Sequence, residues 1–420
     1  LRIGRLLRAS IDGAKKSGDD GAQLFSITNH FNAAQSILTD PEEQHSVAVL
    51  NLRAGTRARE GAAFPTATEY FRIGLSICER STEKPDQRLQ IGLLLGLAEC
   101  ESLCGHFESA EHCFDRVDIL SPTLLDRARA TCLRLKLYQV AGRFREGVQR
   151  AEQMLQAVDI TLPSNPDSAN AAIAAEVADI PRNMGDRSIE ELLDAPLVAD
   201  PKIQVAIELL VNAAPCAYIG QPEAFPFIAL KMLNLSLQNG NTPASCFAYS
   251  VYGFMLVAVF GDAQAGARFS EMSIQLNEKL HDISLRGTLL HLHGDHINFW
   301  VRHIRTDLPI LERAFIACQQ AGDYVYANYL AFETIWQLFE IGVPLEDILA
   351  ESERFARFSK KTRNEAVYQT IRLQQQFFLS LSGKTDRPLV LSEAGYDPRV
   401  SKKIIEDASF GCGIAFGHII

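Results

Sequence analysis

The feature that most constrains the fold is a six-residue pattern that occurs twice, at residues 105–110 and 142–147. Each copy reads glycine, one residue, phenylalanine, two residues and then a small residue. The second copy follows the first by 37 residues, close to the period of about 34 residues at which tetratricopeptide-type helix pairs repeat. The pattern predicts an all-α fold, an α-solenoid of tetratricopeptide-like antiparallel helix pairs.

Each position of the pattern has a physical role. Gly105 and Gly142 follow the first helix of a pair, where the chain needs a left-handed conformation that a Cβ atom disfavours. The phenylalanine fills the gap between the two helices. Ala110 and Gly147 lie where the second helix crosses the first closely and a larger side chain would separate them. Apolar residues precede and follow each turn at helical spacing.

The whole chain divides into five predicted segments. A weaker copy of the repeat, Phe64, Ala67, Phe71 and Gly74, lies in the second of them. The segments are lead-in helices over 1–41 with a polar loop at 17–21 and a helix over about 22–38, a first repeat array over 42–160, a proline-rich irregular crossover over 161–201 with helical pieces at 167–178 and 187–194, a second array over 202–385, and the start of further repeats over 386–420.

Charge and composition argue against several classes of function. The net charge is −10, with 22% charged and 47% hydrophobic residues. Such a balance predicts neither a nucleic-acid surface nor an anionic-membrane surface, because both need clustered lysine and arginine. The sequence predicts no membrane insertion, since no apolar run reaches the length of a span. The nine cysteines are an odd number and are scattered, which favours small core residues in a cytoplasmic protein over disulfides.

Several short segments resemble a known family. They lie at residues 39–43, 48–55, 57–58, 97–100, 103–105, 185–193, 239–243, 252–253 and 321–327. Together they are similar to the helical region of large bacterial multidomain signalling kinases, over about residues 1–360. Residues 1–7 resemble the tail of a preceding ATPase segment, and the apolar end leads us to expect an internal fragment of a longer protein.

The resemblance implies a place in a signalling protein. In that family a serine/threonine-kinase-like domain and a predicted signal-transduction ATPase precede the helical region, and GAF, PAS and histidine-kinase modules follow it. The implied function is a non-catalytic scaffold that couples the ATPase switch to kinase output. The implied partners are other proteins or flanking domains of the same polypeptide. No catalytic motif of the family falls within the chain, so no catalytic or cofactor-binding residue and no cofactor is carried over.

Two alternatives to a coupling scaffold stay open. The chain could be a passive structural spacer or dimerisation arm that holds input and output modules apart. It could also be a ligand-sensing repeat domain of a transcription regulator. The oligomeric state does not follow from the sequence.

Two motifs suggest ligand chemistry only weakly. Residues 382–385 end like a phosphate-binding loop, but the position that needs a glycine is Phe378 and no strand precedes it. We therefore interpret them as a polar turn that closes a helix. Cys100, Cys104 and Cys113 could be thiolate ligands, but the repeat pattern already explains all three as packing residues.

The densest metal-like cluster contains His291, His293, Asp295, His296 and His303. On a helix, His291 and Asp295 share one face, whereas His296 and His303 share another with Trp300. A metal needs ligands that converge on one point, so this distribution favours polar residues on a repeat helix and predicts no metal ligands.

A last group of titratable residues flanks the turn at Gly105. It comprises His106, Glu108, Glu111 and His112. Because turns of a solenoid are solvated and acid–base catalysis needs a water-poor pocket, we predict no catalytic residues there.

Overall fold

The computed structural model of the chain describes residues 1–12, 20–61, 63–81, 86–163, 165–385, 396–408 and 410–419. Within these ranges the regular structure is helical, and an isolated β-bridge joins Leu197 to Asn241. The chain forms two compact units, Leu1–Ala141 and Gly142–Ile420. The prediction of an all-α solenoid is confirmed. The five sequence-based segments stay predictions.

The described part of the first unit contains seven α-helices. They are α1 (Arg2–Asp12), α2 (Asp20–Asn32), α3 (Pro41–Glu60), α4 (Phe64–Arg80), α5 (Gln87–Leu103), α6 (Phe107–Leu120) and α7 (Leu124–Val140). A short 3₁₀ helix, Gln35–Ile37, follows α2. The predicted helix over 22–38 therefore begins earlier and ends at Asn32, and residues 17–19 of the predicted polar loop lie outside the described ranges.

Helices of the first unit pack in pairs, and the pairs stack. Helix α3 packs against α4 and α5 against α6, while α3, α5 and α7 also contact one another in sequence. Phe71 of α4 lies at the centre of this stacking and is 1% exposed. A Cβ atom on Gly55 of α3 or on Gly96 of α5 would lie 2.6 Å from its ring. Glycine at both positions therefore lets three helices close around one aromatic side chain.

The two glycines of the repeated pattern have the predicted backbone conformation. Gly105 has a φ of 85° and Gly142 a φ of 69°, a region that residues with a Cβ atom rarely adopt. The helix starts also follow the sequence. Asp40 accepts a hydrogen bond from the backbone nitrogen of Glu43 at 2.9 Å, and Pro41 occupies the first helical turn.

The second unit consists of thirteen α-helices in the described ranges. They are α8 (Phe144–Gln156), α9 (Pro166–Met184), α10 (Pro201–Gly220), α11 (Phe225–Asn239), α12 (Ser245–Ala258), α13 (Ala263–Lys279), α14 (Arg286–His296), α15 (Leu308–Ala321), α16 (Tyr324–Glu340), α17 (Leu345–Lys361), α18 (Glu365–Leu381), α19 (Pro398–Asp407) and α20 (Gly411–Ile419). Short 3₁₀ helices cover Glu190–Asp194, Asn298–Trp300 and Ile304–Thr306.

The proline-rich crossover is more regular than the sequence suggests. Helix α9 continues through Pro181 to Met184, whereas the pattern predicts an end near residue 178. Contacts with α11 explain the extra turn. Lys231 lies 2.9 Å from the Glu176 carboxylate, and Asn183 donates to Asn234 at 2.8 Å. Tertiary hydrogen bonds therefore outweigh the local preference of proline to end a helix.

Helix α10 is long and apolar enough to cross a membrane by length and composition alone. Its most apolar window has a mean hydropathy of 1.4 and is 56% buried. The helix packs against α8, α11 and α12, and Ile207 and Leu210 are 0% exposed. It is therefore a core helix of the second unit.

Candidate functional site: a polar cluster on the first-helix face

The first helices of successive pairs in the second unit form one continuous surface. Helix α12 contacts α14, α14 contacts α16, and α16 contacts α18. We call this surface the first-helix face. Stacked first helices of a solenoid can offer a long surface to a ligand.

A cluster of titratable side chains lies at the middle of this face. His291, Asp295 and His296 belong to α14, and Glu333 and Gln337 belong to α16. The Nε2 atom of His291 lies 2.6 Å from Oε2 of Glu333. Gln337 donates through Nε2 to Oδ1 of Asp295 at 2.8 Å. Two direct contacts therefore join the two helices through polar side chains.

Metal-binding atoms of the cluster converge. One ligand atom from each of His291, Asp295 and His296 lies within 4.8 Å of the others. Oδ2 of Asp295 is 3.5 Å from Nδ1 of His296. The side chain of His291 is 4% exposed and that of His296 is 35% exposed. The cluster is therefore closed on the side of His291 and open to solvent on the side of His296.

Burial controls the ionisation of the cluster. It raises the pKa of the Glu333 carboxyl to about 8 and that of Asp295 to about 6. It lowers the pKa of His291, and it lowers the pKa of His296 to about 4. Both imidazoles are therefore uncharged at neutral pH, and the uncharged ring is the form that can accept a hydrogen bond or bind a cation.

Aromatic rings extend the cluster along the face. His296 lies 5.5 Å from Phe254 of α12, measured between ring centroids, and 5.2 Å from His291. His291 in turn lies 5.5 Å from Tyr326 of α16, which lies 5.7 Å from Tyr329. A row of five rings thus crosses three first helices, and it would offer apolar and polar contacts side by side.

The C-terminal helix packs on the same face. The Phe410 ring stacks on Tyr329 at 6.1 Å and meets Phe332 edge-on at 5.3 Å. A Cβ atom on Gly413 of α20 would lie 2.5 Å from Oγ1 of Thr370 in α18. Burial, followed by the carboxyls of Glu333 and Asp295, raises the pKa of the Cys412 thiol to about 11. The start of α20 therefore lies near the cluster.

The structure changes the sequence-based interpretation of the histidines. His296 was expected on a different face from His291, but the two rings and Asp295 come together. Helix α14 ends at His296. The imidazole ring of His296 packs between His291 and Phe254. His293 points elsewhere and its Nδ1 lies 3.1 Å from the Ser270 hydroxyl. His303 lies beyond the helix and its Nδ1 accepts from the backbone nitrogen of Arg305.

Glu333 and Gln337 were not predicted to belong to the cluster, because they are far from the histidines in the chain. A usable signal exists, however. The contacts from His291 to Glu333 and from Asp295 to Gln337 both span 42 residues. An alignment of α16 with α14 at this spacing would have placed Glu333 beside His291 and Gln337 beside Asp295.

The loop-like motif at residues 382–385 forms the end of α18. Gly383 has a φ of 67°, and the Ser382 hydroxyl donates to the Phe378 carbonyl at 2.7 Å. Lys384 Nζ lies 3.1 Å from a Glu346 carboxylate oxygen. Helix α18 precedes the motif where a phosphate-binding loop requires a strand, so these residues close a helix.

The cysteine triplet lies in the packing of the first unit. Cys100 and Cys113 are buried and Cys104 is half-buried. Burial raises the pKa of Cys100 to about 12 and that of Cys113 to about 11. Thiols with such values stay protonated at neutral pH, and the protonated thiol is neither a nucleophile nor a metal ligand.

Two of the four titratable residues near Gly105, His106 and Glu111, take part in ion pairs. Nδ1 of His106 lies 2.7 Å from Glu101, which also accepts from Arg72 at 2.6 Å. Glu111 pairs with Arg134 of α7. Glu108 and His112 are exposed. The four residues do not form one group, and two of them contribute to interhelical pairing.

Comparison with known proteins finds distant similarities. No family model matches the chain. Over 395 residues it is 20% identical to hybrid signal transduction histidine kinase G of Dictyostelium discoideum. The match covers 86% of this chain and 11% of that kinase. The chain therefore spans about a tenth of the length of the curated relative it matches.

Two solved structures also resemble the chain. One is a signal transduction ATPase with numerous domains that carries a tetratricopeptide repeat sensor, from Pyrococcus horikoshii, with 11% identity and a TM-score of 0.39 over 96% of this chain and 53% of that one. The other is a monomeric IFIT1 mutant with Gppp-AAAA, with 14% identity and a TM-score of 0.33 over 94% of this chain and 86% of that one.

Proposed function

We propose that this chain is a non-catalytic protein-interaction and signal-coupling scaffold within a larger cytoplasmic signalling kinase. The observation that carries the proposal is the similarity of 86% of the chain to a short part of a hybrid signal transduction histidine kinase. The stacked first helices support it, because such a surface binds segments or domains of other proteins. Resemblance of the sequence to multidomain kinases supports an upstream ATPase switch and a downstream kinase output as the coupled elements.

The mechanism follows from the geometry of the first-helix face. A flanking domain that docks there would contact several helix pairs at once. Because neighbouring pairs share their packing surfaces, a docked domain would favour one arrangement of the pairs over another. A change in the nucleotide bound upstream would alter docking, and the altered arrangement would reach the kinase modules downstream.

A matched pair of charge reversals tests the proposal in the parent kinase. Glu340 is exposed on α16, seven residues after Glu333 and therefore on the same stripe of the first-helix face. Glu278 is exposed on α13, a second helix. We expect Glu340→Arg to change the nucleotide dependence of autophosphorylation and Glu278→Arg to leave it unchanged, with unaltered circular dichroism for both.

The passive-spacer alternative makes the opposite prediction. If the chain only holds modules apart, both variants keep normal regulation, and an unrelated solenoid of similar length can replace the chain. Normal regulation in Glu340→Arg together with normal regulation after that replacement would reject the coupling proposal.

A further inference from the structure

We propose that His291, Asp295 and His296 bind one divalent first-row transition metal ion, zinc or iron(II), on the first-helix face. The proposal goes beyond the scaffold function and does not depend on it. Two imidazoles and one carboxylate are the donor set that proteins use for these ions at sites that keep an open position.

His291 is oriented as a metal-binding histidine is. Its Nε2 lies 2.6 Å from the Glu333 carboxyl, while its Nδ1 is buried and has no hydrogen-bond partner in the described part of the chain. A metal-binding imidazole generally donates its other nitrogen to a carboxylate, which fixes the ring and the tautomer. A buried nitrogen without a partner is costly, and a metal ion at Nδ1 would remove that cost.

Asp295 and His296 supply the remaining donors from the same turn of α14. Gln337 holds Oδ1 of Asp295 at 2.8 Å and leaves Oδ2 facing His296 at 3.5 Å. The three ligand atoms lie within 4.8 Å of one another. Ligands of a tetrahedral zinc ion lie ~3.4 Å apart, so rotations of the side chains suffice to close the site.

Access and an open coordination position come from His296. Its side chain is 35% exposed, whereas that of Asp295 is 13% exposed. An ion can therefore enter from the solvent beside Phe254, and water or a group of a docked partner can complete the coordination. The site lies in the row of aromatic rings, so an ion there would add a direct polar anchor to that surface.

A hydrogen-bonded cluster without a metal is the simpler interpretation, and two atoms argue against it. Nδ1 of His291 and Oε1 of Gln337 are both buried and unpartnered within the described ranges. His293 lies on the same helix, and its Nδ1 atom does have a hydrogen-bond partner, the Ser270 hydroxyl at 3.1 Å. Nδ1 of His291 thus differs from Nδ1 of His293 on the same helix, because it has no hydrogen-bond partner among the described residues.

Metal titration of the purified chain tests the site. After removal of metal with EDTA, Zn²⁺ is titrated by calorimetry, and Co²⁺ is followed by its visible absorption, which reports coordination geometry. We expect one ion per chain. His296→Ala should lower the Zn²⁺ affinity at least about 100-fold, and Glu333→Gln about 10- to 100-fold as the loss of a positioning residue.

Control variants separate the site from adventitious binding and from misfolding. His303→Asn removes an exposed histidine outside the cluster and should keep the affinity of the unmodified chain. Asp295→Asn is a second ligand variant in case His296→Ala loses its circular dichroism signal. Absence of stoichiometric Zn²⁺ and Co²⁺ binding, or binding that survives both ligand variants, would overturn the proposal. Neither result bears on kinase regulation, so the two proposals fail separately.

Discussion

Oε2 of Glu333 lies 2.6 Å from Nε2 of His291, and this contact connects two successive first helices of the second unit. Both residues belong to elements that are far apart in the sequence, α14 and α16. His291 is 3% exposed, and this carboxyl is the hydrogen-bond partner of its Nε2 atom. The contact is therefore a stabilising link as well as a part of the candidate site.

Removal of this carboxyl should destabilise the metal-free chain. We expect Glu333→Ala to lower the free energy of unfolding by about 1–3 kcal/mol, because a buried imidazole nitrogen loses its partner. Glu333→Gln should lower it less, since the amide can still form a hydrogen bond. Urea denaturation at pH 7 with EDTA measures both variants. Equal losses would show that the hydrogen bond does not stabilise the fold.

Arg134 gives a comparable prediction for the first unit. The residue is 8% exposed, and its guanidinium pairs with Glu111, Asp115 and Asp118 of α6. Arg134→Met leaves three partly exposed carboxylates without their shared cation, so we expect a loss of about 1–3 kcal/mol in unfolding free energy. The more exposed pair of Arg116 with Glu79 provides the control.

The Arg116→Met control should cost less than about 1 kcal/mol, because a solvated ion pair contributes little. Chemical denaturation followed by hydrogen exchange in α6 and α7 compares the two variants. A loss for Arg116→Met as large as that for Arg134→Met would contradict the assignment of the Arg134 cluster as the stabilising one.

Local patterns in the sequence predicted the repeat but not the site. Gly105 and Gly142 were predictable because a left-handed turn demands a particular residue type at one position. Asp40 was predictable for the same reason, since an N-cap acts on the next three residues. These features depend on the nearest few residues of the chain.

Features that depend on packing between distant residues were not predictable. Pro181 lies inside α9 because α11 holds that helix through Asn234 and Lys231. His296 joins His291 because α14 ends there and Phe254 packs on the ring. Glu333 enters the cluster from the next helix pair. No window of neighbouring residues contains that information, because the partners are brought together only by stacking.

Gly240 provides a sharp test of how the crossover is attached. It has a φ of 105°, and a Cβ atom there would lie 2.1 Å from the Pro196 carbonyl oxygen. That carbonyl accepts from the Asn241 nitrogen at 2.7 Å. Gly240→Ala should therefore break the contact and expose residues 190–200 to proteases. Gly261→Ala is the matched control, because Gly261 has a φ of 73° and no atom within 4 Å of its Cβ position.

We expect Gly261→Ala to cost about 1–2 kcal/mol from backbone strain alone and Gly240→Ala to cost clearly more. Thermal unfolding and limited proteolysis measure the difference. If both variants lose the same stability and neither is cleaved in the crossover, the Pro196 contact does not hold that segment.

We expect the ionisation of Asp307 to make the free energy of unfolding of the second unit depend on pH. The residue is 0% exposed. Its Oδ1 accepts from Nδ2 of Asn298 at 2.5 Å, and its Oδ2 has no hydrogen-bond partner among the described residues. Burial raises the pKa of the carboxyl from 3.8 to about 6. The folded chain therefore binds this proton more tightly than the unfolded chain does.

The sign of the effect follows from that difference in proton binding. Between pH ~4 and ~6 the folded state retains a proton that the unfolded state has lost, so the contribution of Asp307 to the free energy of unfolding falls as the pH rises, by about 2–3 kcal/mol. Asp307→Asn cannot ionise. Its unfolding free energy relative to the unmodified chain should therefore rise by that amount from pH 4 to pH 7. Urea denaturation at each pH measures the difference, and a constant difference would mean that the Asp307 carboxyl ionises equally easily in the folded and unfolded chains.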